Sequence, residues 1–459
     1  MSEFRLRSAE IIRRRYDGQE EDVEAGGRYD VLTAIVEINL FESIFKPYMT
    51  GSIAMVDSSA FSSIINFQGQ EIINLQWSVG DKEFDRSFYI YGVKSQDKSQ
   101  SGTTSTLVLG IIERHGYLSK FMRMDGSRAG NVSSIIGSIF NDMGVTKFAS
   151  ENAHQSMRIM ENNRTPIEII QWLTDRATGA TGEPMFVYAT MPVDDEDRFA
   201  PNVKMRSLGT MLNDHPWEDD EVFRYTSVSG DTFPRFERDN LLIWNVNMLE
   251  HDDVMVLADR GALQSTYINI DPFTRSVDYT DFNAQTHFEN KKQNGSNIYE
   301  YPMFDFNFRI DSNDDSLTVA NMPSTYVSGV NVSGAFADYP AYNEEPNVSD
   351  QVMRISRESD LSMLEREVMD VHIWGYHIAI GDSERGVGTT IALAVPKDQP
   401  SYTPSANVED KKRSGRFLIK SIRHQMNNIN NDYYTICRVA RTDSPDPINS
   451  RDRNEQRPT

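Results

Sequence analysis

The amino-acid sequence predicts a mainly β protein in which two β-rich ends flank an α/β unit and a loop-rich tract. Apolar and polar residues alternate with a period of two at both ends of the chain, as is typical of half-buried strands. After Gly116 the apolar residues instead follow the 3.6-residue period of helices. The length of 459 residues exceeds what one hydrophobic core supports, so several domains are expected.

Residues 1–28 are predicted to form a soluble N-terminal arm. The segment places Arg13, Arg14 and Arg15 directly before an acidic stretch and lacks the apolar run of a signal peptide. The chain contains no run of about 18 apolar residues, so no membrane-spanning segment and no membrane partner are expected.

Residues 29–113 are predicted to form the first β-unit. Breaks rich in Gly, Ser and Asp separate five strand-like segments with short connections, which indicate a small antiparallel barrel or sandwich. The segments are "YDVLTAIVEINLFESI", "GSIAMVDSS", "EIINLQWSV", "RSFYIYGVKS" and "STLVLGII".

Residues 114–213 are predicted to form a separate α/β unit. The segment "NVSSIIGSIFNDMG" has helical spacing and ends at Gly144. In "TPIEIIQWLTDRATG", Thr165 is a candidate N-cap with Glu168 completing a capping box, Pro166 suits the first helical position, and Gly179 is predicted to close the helix.

The rest of the chain alternates between irregular and strand-like sequence. A strand-like "NLLIWNVNML" precedes a long polar tract with scattered aromatic residues, and the helix "SDLSMLEREVMDVH" then leads into four more strands. Those strands are predicted in "HIWGYHIAIG", "GTTIALAVP", "SGRFLIKSIRHQ" and "DYYTICRVA". Residues 446–459 are predicted to be a disordered tail.

The two β-units share the design of their closing hairpin. The segments that begin at Ser87 and Arg416 align without a gap, and their common alternation predicts matching folds. The alignment places Phe88 on Phe417, Ile90 on Ile419, Val93 on Ile422, Lys94 on Arg423, Gln96 on Gln425, Thr106 on Thr435, Leu107 on Ile436 and Val108 on Cys437. The alternative is that any two amphipathic hairpins align this well.

No motif in the sequence supports catalysis, a cofactor or a metal site. The residues of "HDD" at 251–253 alternate in direction along an extended chain, and "GATG" and "GVG" lack the lysine of a phosphate loop. The sequence therefore predicts a protein that is not an enzyme, with Cys437 as structural filler. The formal net charge of −22 argues against a surface that grips nucleic acid.

Two passages resemble the contractile-tail bacteriophage baseplate central hub proteins, the family of the T-even-phage-like hubs. "VEINLFESIFKPYMTGSIAMVDSSAF" with "GQEIINLQW" is similar to the family's opening β-domain, and "SGRFLIKSIRHQ" is similar to its closing hairpin. "RTPIEIIQWLTDRA" looks like the helix of the family's second domain. The opening match is carried by Glu37, Ile38, Phe41, Glu42, Ile44, Phe45, Pro47, Tyr48 and Gly51.

The resemblance implies a structural protein that forms a ring-shaped homotrimer. Each chain would hold two tail-tube-like antiparallel β-barrels, an α/β domain and a loop-rich inserted domain. The first barrel would span 29–113, and the second would be discontinuous, built from 222–262 and 364–445 around an insertion at 263–363.

The resemblance also implies a place in the virion. The trimer, assembled in the host cytoplasm, would adapt the sixfold tail-tube ring to the threefold central spike protein in the tail baseplate. The tape-measure protein and the baseplate wedge proteins would be further partners, and DNA would pass through the channel without specific binding. Candidate interface residues for the tube ring are Arg416, Lys420 and Arg423.

Two alternatives remain open from the sequence. A hub of a related contractile injection or secretion particle shares the barrel pair. A secreted β-rich protein that binds or cleaves glycans also fits an acidic and aromatic chain.

Overall fold

The computed structural model describes residues 4–13, 27–57, 65, 67–98, 105–180, 182–192, 197–218, 221–225, 241–251, 254–271, 275–293, 309, 318, 325–330, 350–365, 367–381, 384–396, 410 and 413–441. The predicted tail at 446–459 lies outside these residues, as do Asp252 and Asp253 of the "HDD" motif.

A first β-module forms from the N-terminal quarter of the chain. Its strands are β1 (Phe4–Ile12), β2 (Arg28–Asp30), β3 (Ile35–Ser43), β4 (Thr50–Asp57), β5 (Ile72–Val79), β6 (Lys82–Lys98) and β7 (Ser105–Ile112). Strands β3 to β7 each overlap one of the five predicted segments, and β6 extends beyond its segment at both ends. They follow the order β3-β4-β7-β6-β5-β1-β2, and all neighbours are antiparallel.

The predicted N-terminal arm needs a correction, because β1 lies inside this module. Phe4, Leu6, Ala9 and Ile11 are buried in the core of the module, and β1 pairs with β5 along its whole length. A register shift between Leu6 and Ser8 interrupts the alternation of apolar residues, which hides the strand from a period-two pattern.

An α/β unit follows the first module. Its elements are α1 (Arg114–Ser119), β8 (Ser127–Asn131), α2 (Val132–Asp142), β9 (Phe148–Ser150), β10 (Ser156–Met160), α3 (Pro166–Thr174), β11 (Met185–Thr190), β12 (Asn202–Ser207) and α4 (Leu208–Asn213). The capping box of Thr165 and Glu168 is present, as predicted. Helix α3 ends before Gly179, because that residue lies in the turn that leads to β11 and its N–H donates to the Glu183 carbonyl.

The second β-module is a closed six-stranded barrel. Its strands are β13 (Phe223–Tyr225), β14 (Leu242–His251), β18 (Glu367–Trp374), β19 (Thr390–Ala394), β20 (Gly415–Asn427) and β21 (Asp432–Arg441). The order β19-β13-β14-β18-β21-β20 closes through the pairing of β19 with β20. The mainly β class predicted from the sequence is therefore confirmed.

One strand of this barrel is not antiparallel. The short β13 runs parallel to both β14 and β19. Parallel neighbours require a long connection, and residues 226–241 separate β13 from β14. The other neighbouring strands of the barrel are antiparallel, as predicted.

An insertion separates β14 from β18. It contains α5 (Val254–Asp259), β15 (Gln264–Asp271), β16 (Ser276–Asn283), α6 (Ala284–Gln293), β17 (Thr325–Val330) and α7 (Asp350–Glu365). The three strands form a separate sheet with the order β16-β15-β17. The predicted helix "SDLSMLEREVMDVH" begins earlier than expected, at Asp350, and its last residues belong to β18.

Strand β11 of the α/β unit packs against both β-modules. All of its residues are buried. Met185, Val187 and Ala189 belong to the apolar core that the first module shares with the α/β unit, whereas Phe186 and Tyr188 enter the core of the barrel. Because side chains alternate along a strand, one strand supplies both cores.

Every helix in the described ranges is too short or too polar to cross a bilayer.

Candidate assembly site at the junction of the two β-modules

Five strands of each module share one order and one set of directions. The order is β3-β4-β7-β6-β5 in the first module and β14-β18-β21-β20-β19 in the barrel, with every neighbour antiparallel. The sixth strand differs, since β1 is antiparallel to β5 whereas β13 is parallel to β19. The chain therefore carries the same five-stranded topology twice.

The closing hairpins match in backbone detail up to one point. The ladder of β6 and β7 shifts register between Ile90 and Gly92, and the ladder of β20 and β21 shifts between Ile419 and Ser421. The predicted matches of Phe88 with Phe417, Ile90 with Ile419 and Val93 with Ile422 are confirmed by these ladders.

The remaining predicted matches are wrong by one residue. Strand β6 has a second register shift, between Val93 and Ser95, so Lys94 is an extra residue with no counterpart in β20. Arg423 therefore corresponds to Ser95 and Cys437 to Leu109. The same shift applies to the predicted matches of Gln96, Thr106, Leu107 and Val108.

The two modules join through an antiparallel ladder between β3 and β20. The ladder runs from the pair Ser421–Ser43 to the pair Asn427–Glu37. Strand β20 serves two partners on one edge, because its first part pairs with β19 and its second part pairs with β3. The register shift beside Lys420 separates the two parts and lets the strand turn from the barrel toward the first module.

One face of the junction carries a polar network between the modules. Nε of Arg423 donates to Oδ1 of Asn39 at 2.8 Å, and its Nη2 lies 3.4 Å from Oε1 of Glu37. The amides of Asn39 and Gln425 also donate to the Glu37 carboxylate, at 2.7 Å and 3.0 Å. This network fixes the register of the two strands.

The opposite face of the junction buries ionisable groups. The N–H of Ile380 donates to the Tyr433 hydroxyl at 2.8 Å, and that hydroxyl lies 2.7 Å from Nδ1 of His424. Because the hydroxyl accepts from Ile380, its own hydrogen is available to His424. Burial raises the pKa of Tyr433, so the hydroxyl remains a donor. Oε2 of Glu42 lies 3.7 Å from Nε2 of His424.

A second buried carboxyl group lies at the end of β7. Oε2 of Glu113 accepts from the Met49 N–H at 2.7 Å, and Nδ1 of His115 lies 4.0 Å away. Burial raises the pKa of Glu113, and the nearby His115 opposes the shift. Nε2 of His115 bonds the Pro47 carbonyl at 2.7 Å, so this ring nitrogen carries a proton.

The three predicted interface residues have different environments. Lys420 is 6% exposed, its Nζ lies 5.6 Å from the centre of the Phe45 ring, and its carbonyl accepts from the Ile44 N–H. Lys420 therefore belongs to the junction between the modules, whereas the sequence suggested an exposed interface with the tube ring. Arg423 forms an ion pair with Glu37 of the same chain. Arg416 is half-buried.

A set of exposed apolar residues on β6 and β14 was not predicted from the sequence. Tyr91, Val93 and Leu249 are each about two-fifths exposed. A comparison of "EINLFE" in β3 with "NVNMLE" in β14 would have indicated that β14 repeats β3.

Within the described residues, no group of three or more His, Cys, Asp and Glu side chains is arranged to hold a metal ion. Cys437 is buried, and burial raises the pKa of its thiol.

No protein-family model matches this chain, and no curated protein sequence matches it. Among solved structures, the chain is similar to the 43 kDa tail protein of prophage MuSo2 from Shewanella oneidensis, with 12% identity, a TM-score of 0.49, and coverage of 96% of this chain and 100% of that one. The tail protein from Neisseria meningitidis MC58 is similar with 8% identity, a TM-score of 0.46, and coverage of 95% and 97%.

A third similar structure comes from a secretion system. It is the E. coli c3393 protein, a component of the type VI secretion system with structural similarity to the T4 bacteriophage tail proteins gp27 and gp5. Its identity to this chain is 9% and the TM-score is 0.40, with coverage of 90% of this chain and 74% of that one.

Proposed function

We propose that this protein is a structural hub of a phage tail baseplate, a homotrimeric ring that joins a sixfold tail tube to a threefold spike. The observation that carries the proposal is the repeat of one five-stranded topology in two modules of the same chain. Three chains then offer six similar modules.

The repeat is suited to joining rings of different symmetry. Closed rings pair only where their contact surfaces repeat with the same rotation. Six similar modules give one face of the ring a sixfold set of contacts, whereas the α/β unit and the insertion occur once per chain and follow threefold symmetry. The fused pair of modules thus serves both partners without a separate adapter.

The polar groups at the module ends suit contacts with the tube ring. We retain Arg416 and Arg423 as candidates, because Lys420 is buried under Phe45. The net charge of −22 suits a channel wall that repels DNA, so the duplex passes without being held. The tape-measure and wedge proteins complete the proposed set of partners.

The mass and shape of the assembled protein test this proposal. Light scattering of the protein alone is expected to give three times the chain mass of 52.3 kDa, and the bound spike protein adds its own mass to this value. Images are expected to show a threefold annulus with six outer lobes. A stable monomer in the presence of the spike protein would contradict the hub. Release of sugars from purified cell-wall material would instead support a glycan-cleaving protein.

A further inference from the structure

The two modules correspond residue by residue beyond the hairpins. The pairing of β3 with β4 shifts between Ile35 and Glu37, and the pairing of β14 with β18 shifts between Ile243 and Asn245. In each module, the strand next to the hairpin (β4 or β18) pairs in turn with one further strand, so β14 is the counterpart of β3. Across the first module one row reads Leu109, Ile53 and Ile38, and across the barrel the matching row reads Cys437, Val371 and Val246.

Strand β20 of the barrel is the counterpart of β6, and within the chain it already pairs with the first module. The second part of β20 pairs with β3. The matching part of β6 begins at Gly92, beyond the last pair of the β5–β6 ladder, Ile72–Tyr89. Among the described strands, only β7 pairs with this part of β6. In the same way, the ladder of β13 with β14 covers only Leu242 and Ile243, and β18 continues beside the rest of β14.

We propose that the second part of β6 pairs with β14 of a second copy of this chain and repeats the β20–β3 ladder between subunits. This inference rests on the proposed ring and deepens it by assigning the contact. The β14–β18 ladder shifts register between Met248 and Glu250, and up to that point the matched register is defined. It places Gln96 opposite Met248 of the second copy, Asp97 opposite Asn247 and Lys98 opposite Val246. The contact is head-to-tail, which closes a ring when the rotation permits it.

The exposure of matched residues supports this contact. Ile422 is 1% exposed in the junction, whereas its counterpart Val93 is 41% exposed. Lys420 is 6% exposed, whereas its counterpart Tyr91 is 42% exposed. In the junction Ile422 belongs to the barrel core and Lys420 lies against Phe45, just after β3. A second β14 beside β6 would cover the two exposed apolar counterparts.

The polar residues of the two contacts also correspond. Asn39 is buried and accepts a hydrogen bond from Arg423. Its counterpart Asn247 is exposed on the outer face of β14. In the proposed ladder, Asp97 lies directly opposite Asn247 and Ser95 lies diagonally from it, so both can take the place that Gln425 and Arg423 occupy in the junction.

A disulfide between Asp97→Cys and Asn247→Cys tests the register. Directly opposed residues of an antiparallel pair have Cα atoms about 4.5–5.5 Å apart, within the range of a disulfide. Oxidation of the double variant is expected to convert at least half of the protein to covalent dimers and trimers on non-reducing gels. The native Cys437 is buried and does not interfere. The matched control combines Asp97→Cys with Met248→Cys, whose side chain leaves the opposite face of β14 from Asn247, and it is expected to give little cross-linking.

The outcomes separate this inference from the proposed function. If the variant is trimeric by light scattering but does not cross-link, or if the control cross-links equally, the strand register is wrong and the ring stands. If no trimer forms with the spike protein present, the proposed function fails as well.

A charge at the contact provides a second test. Val93→Asp is expected to dissociate the trimer and to raise the apparent dissociation constant at least tenfold, because an aspartate would be buried beside β14. The control Val277→Asp alters a valine that is 50% exposed on β16 and is expected to leave the trimer intact. Circular dichroism is the check that both variants fold. A folded Val93→Asp trimer with unchanged affinity would overturn the proposed contact.

Discussion

At the scale of single residues, the buried carboxyl group of Glu113 makes the stability of the protein depend on pH. The pKa of its carboxyl group is raised above the ordinary value of 4.5, mainly by burial. Below pH 4.5 the carboxyl is protonated in the folded and the unfolded chain. As the pH rises, the unfolded chain releases this proton first, so stability falls until the pH passes the folded pKa and then levels off. The residue therefore destabilises the protein at neutral pH relative to acid.

Glu113→Gln is expected to remove this pH dependence while keeping an acceptor for the Met49 N–H. The melting temperature of the variant relative to the natural protein should rise as the pH increases from 4.5 to 8, by an amount that reflects about 1.4 kcal/mol per unit of raised pKa. Thermal melts at several pH values measure it. Parallel curves for the two proteins would show that the Glu113 pKa is not raised.

Glu168→Gln is the matched control with the opposite sign. Hydrogen bonds from Thr165 lower the pKa of Glu168, so its stabilising contribution is present above pH 4.5 and is lost as the pH falls through the lowered value. The substitution should therefore destabilise the protein most at neutral pH and least in acid.

The buried hydroxyl of Tyr433 is expected to stabilise the junction. Tyr433→Phe leaves the Ile380 N–H and Nδ1 of His424 without their partner, which costs about 1–3 kcal/mol in the free energy of unfolding. Urea denaturation measures the change. Tyr434→Phe alters the next residue of β21, which is only partly buried, and should cost less than about 0.5 kcal/mol. Equal losses would mean that the buried hydroxyl adds nothing specific.

At the scale of elements, Gly51 allows β4 to lie close to β3. A Cβ atom at this position would lie 2.5 Å from the Asn39 carbonyl oxygen and 2.9 Å from side-chain atoms of Leu40 and Ile111. The carbonyl belongs to the backbone of β3, so it cannot move without opening the ladder. This contact gives a physical reason for the glycine in the segment that resembles the hub family.

Gly51→Ala is therefore expected to lower the free energy of unfolding by about 1–3 kcal/mol. Gly137→Ala is the comparison, because it lies inside helix α2 and its Cβ would meet only the edge of the Phe148 ring, at 3.3 Å. Alanine is the better helix former, so this variant should be neutral or more stable by up to about 1 kcal/mol. A destabilised Gly137→Ala protein beside an unchanged Gly51→Ala protein would contradict the packing described for β3 and β4.

Elements with strong local signals could be predicted from the sequence. Alternation identified β3 to β7, and the capping box located the start of α3 at Pro166. Register shifts caused the errors, since the shift after Leu6 hid β1 and the extra Lys94 displaced half of the hairpin alignment. A register shift is decided by the partner strand, and a single segment does not show which strand that is.

The candidate site was predictable only in part for the same reason. The sequence indicated Arg423 as a candidate interface residue, but the distance along the chain between Glu37 and Arg423 conceals that they meet in one ladder. Lys420 seemed exposed because charged residues in strands usually face solvent. The Phe45 ring that covers it comes from the other module.

At the scale of the whole molecule, the two β-modules are joined by sheet and by core. The β3–β20 ladder makes one continuous sheet of both modules, and β11 contributes alternate side chains to both cores. An N–H of the α/β unit, from Met191, also donates to Glu42 in the junction at 2.9 Å. Separate unfolding of one module would break each of these contacts, so the described modules should unfold together.

Two adjacent residues of β11 test this coupling. Met185→Ala removes a side chain from the core that the first module shares with the α/β unit and should cost about 2–5 kcal/mol. Phe186→Ala removes one from the barrel core, where it packs against Phe45, and should cost about 3–5 kcal/mol. If the modules are coupled, each variant should speed hydrogen exchange in both β5 and β21, and each should melt in a single transition. Val277→Ala, on an exposed face, should change neither. Faster exchange of β5 alone in Met185→Ala, with faster exchange of β21 alone in Phe186→Ala, would show that the modules unfold independently and that β11 transmits no stability between them.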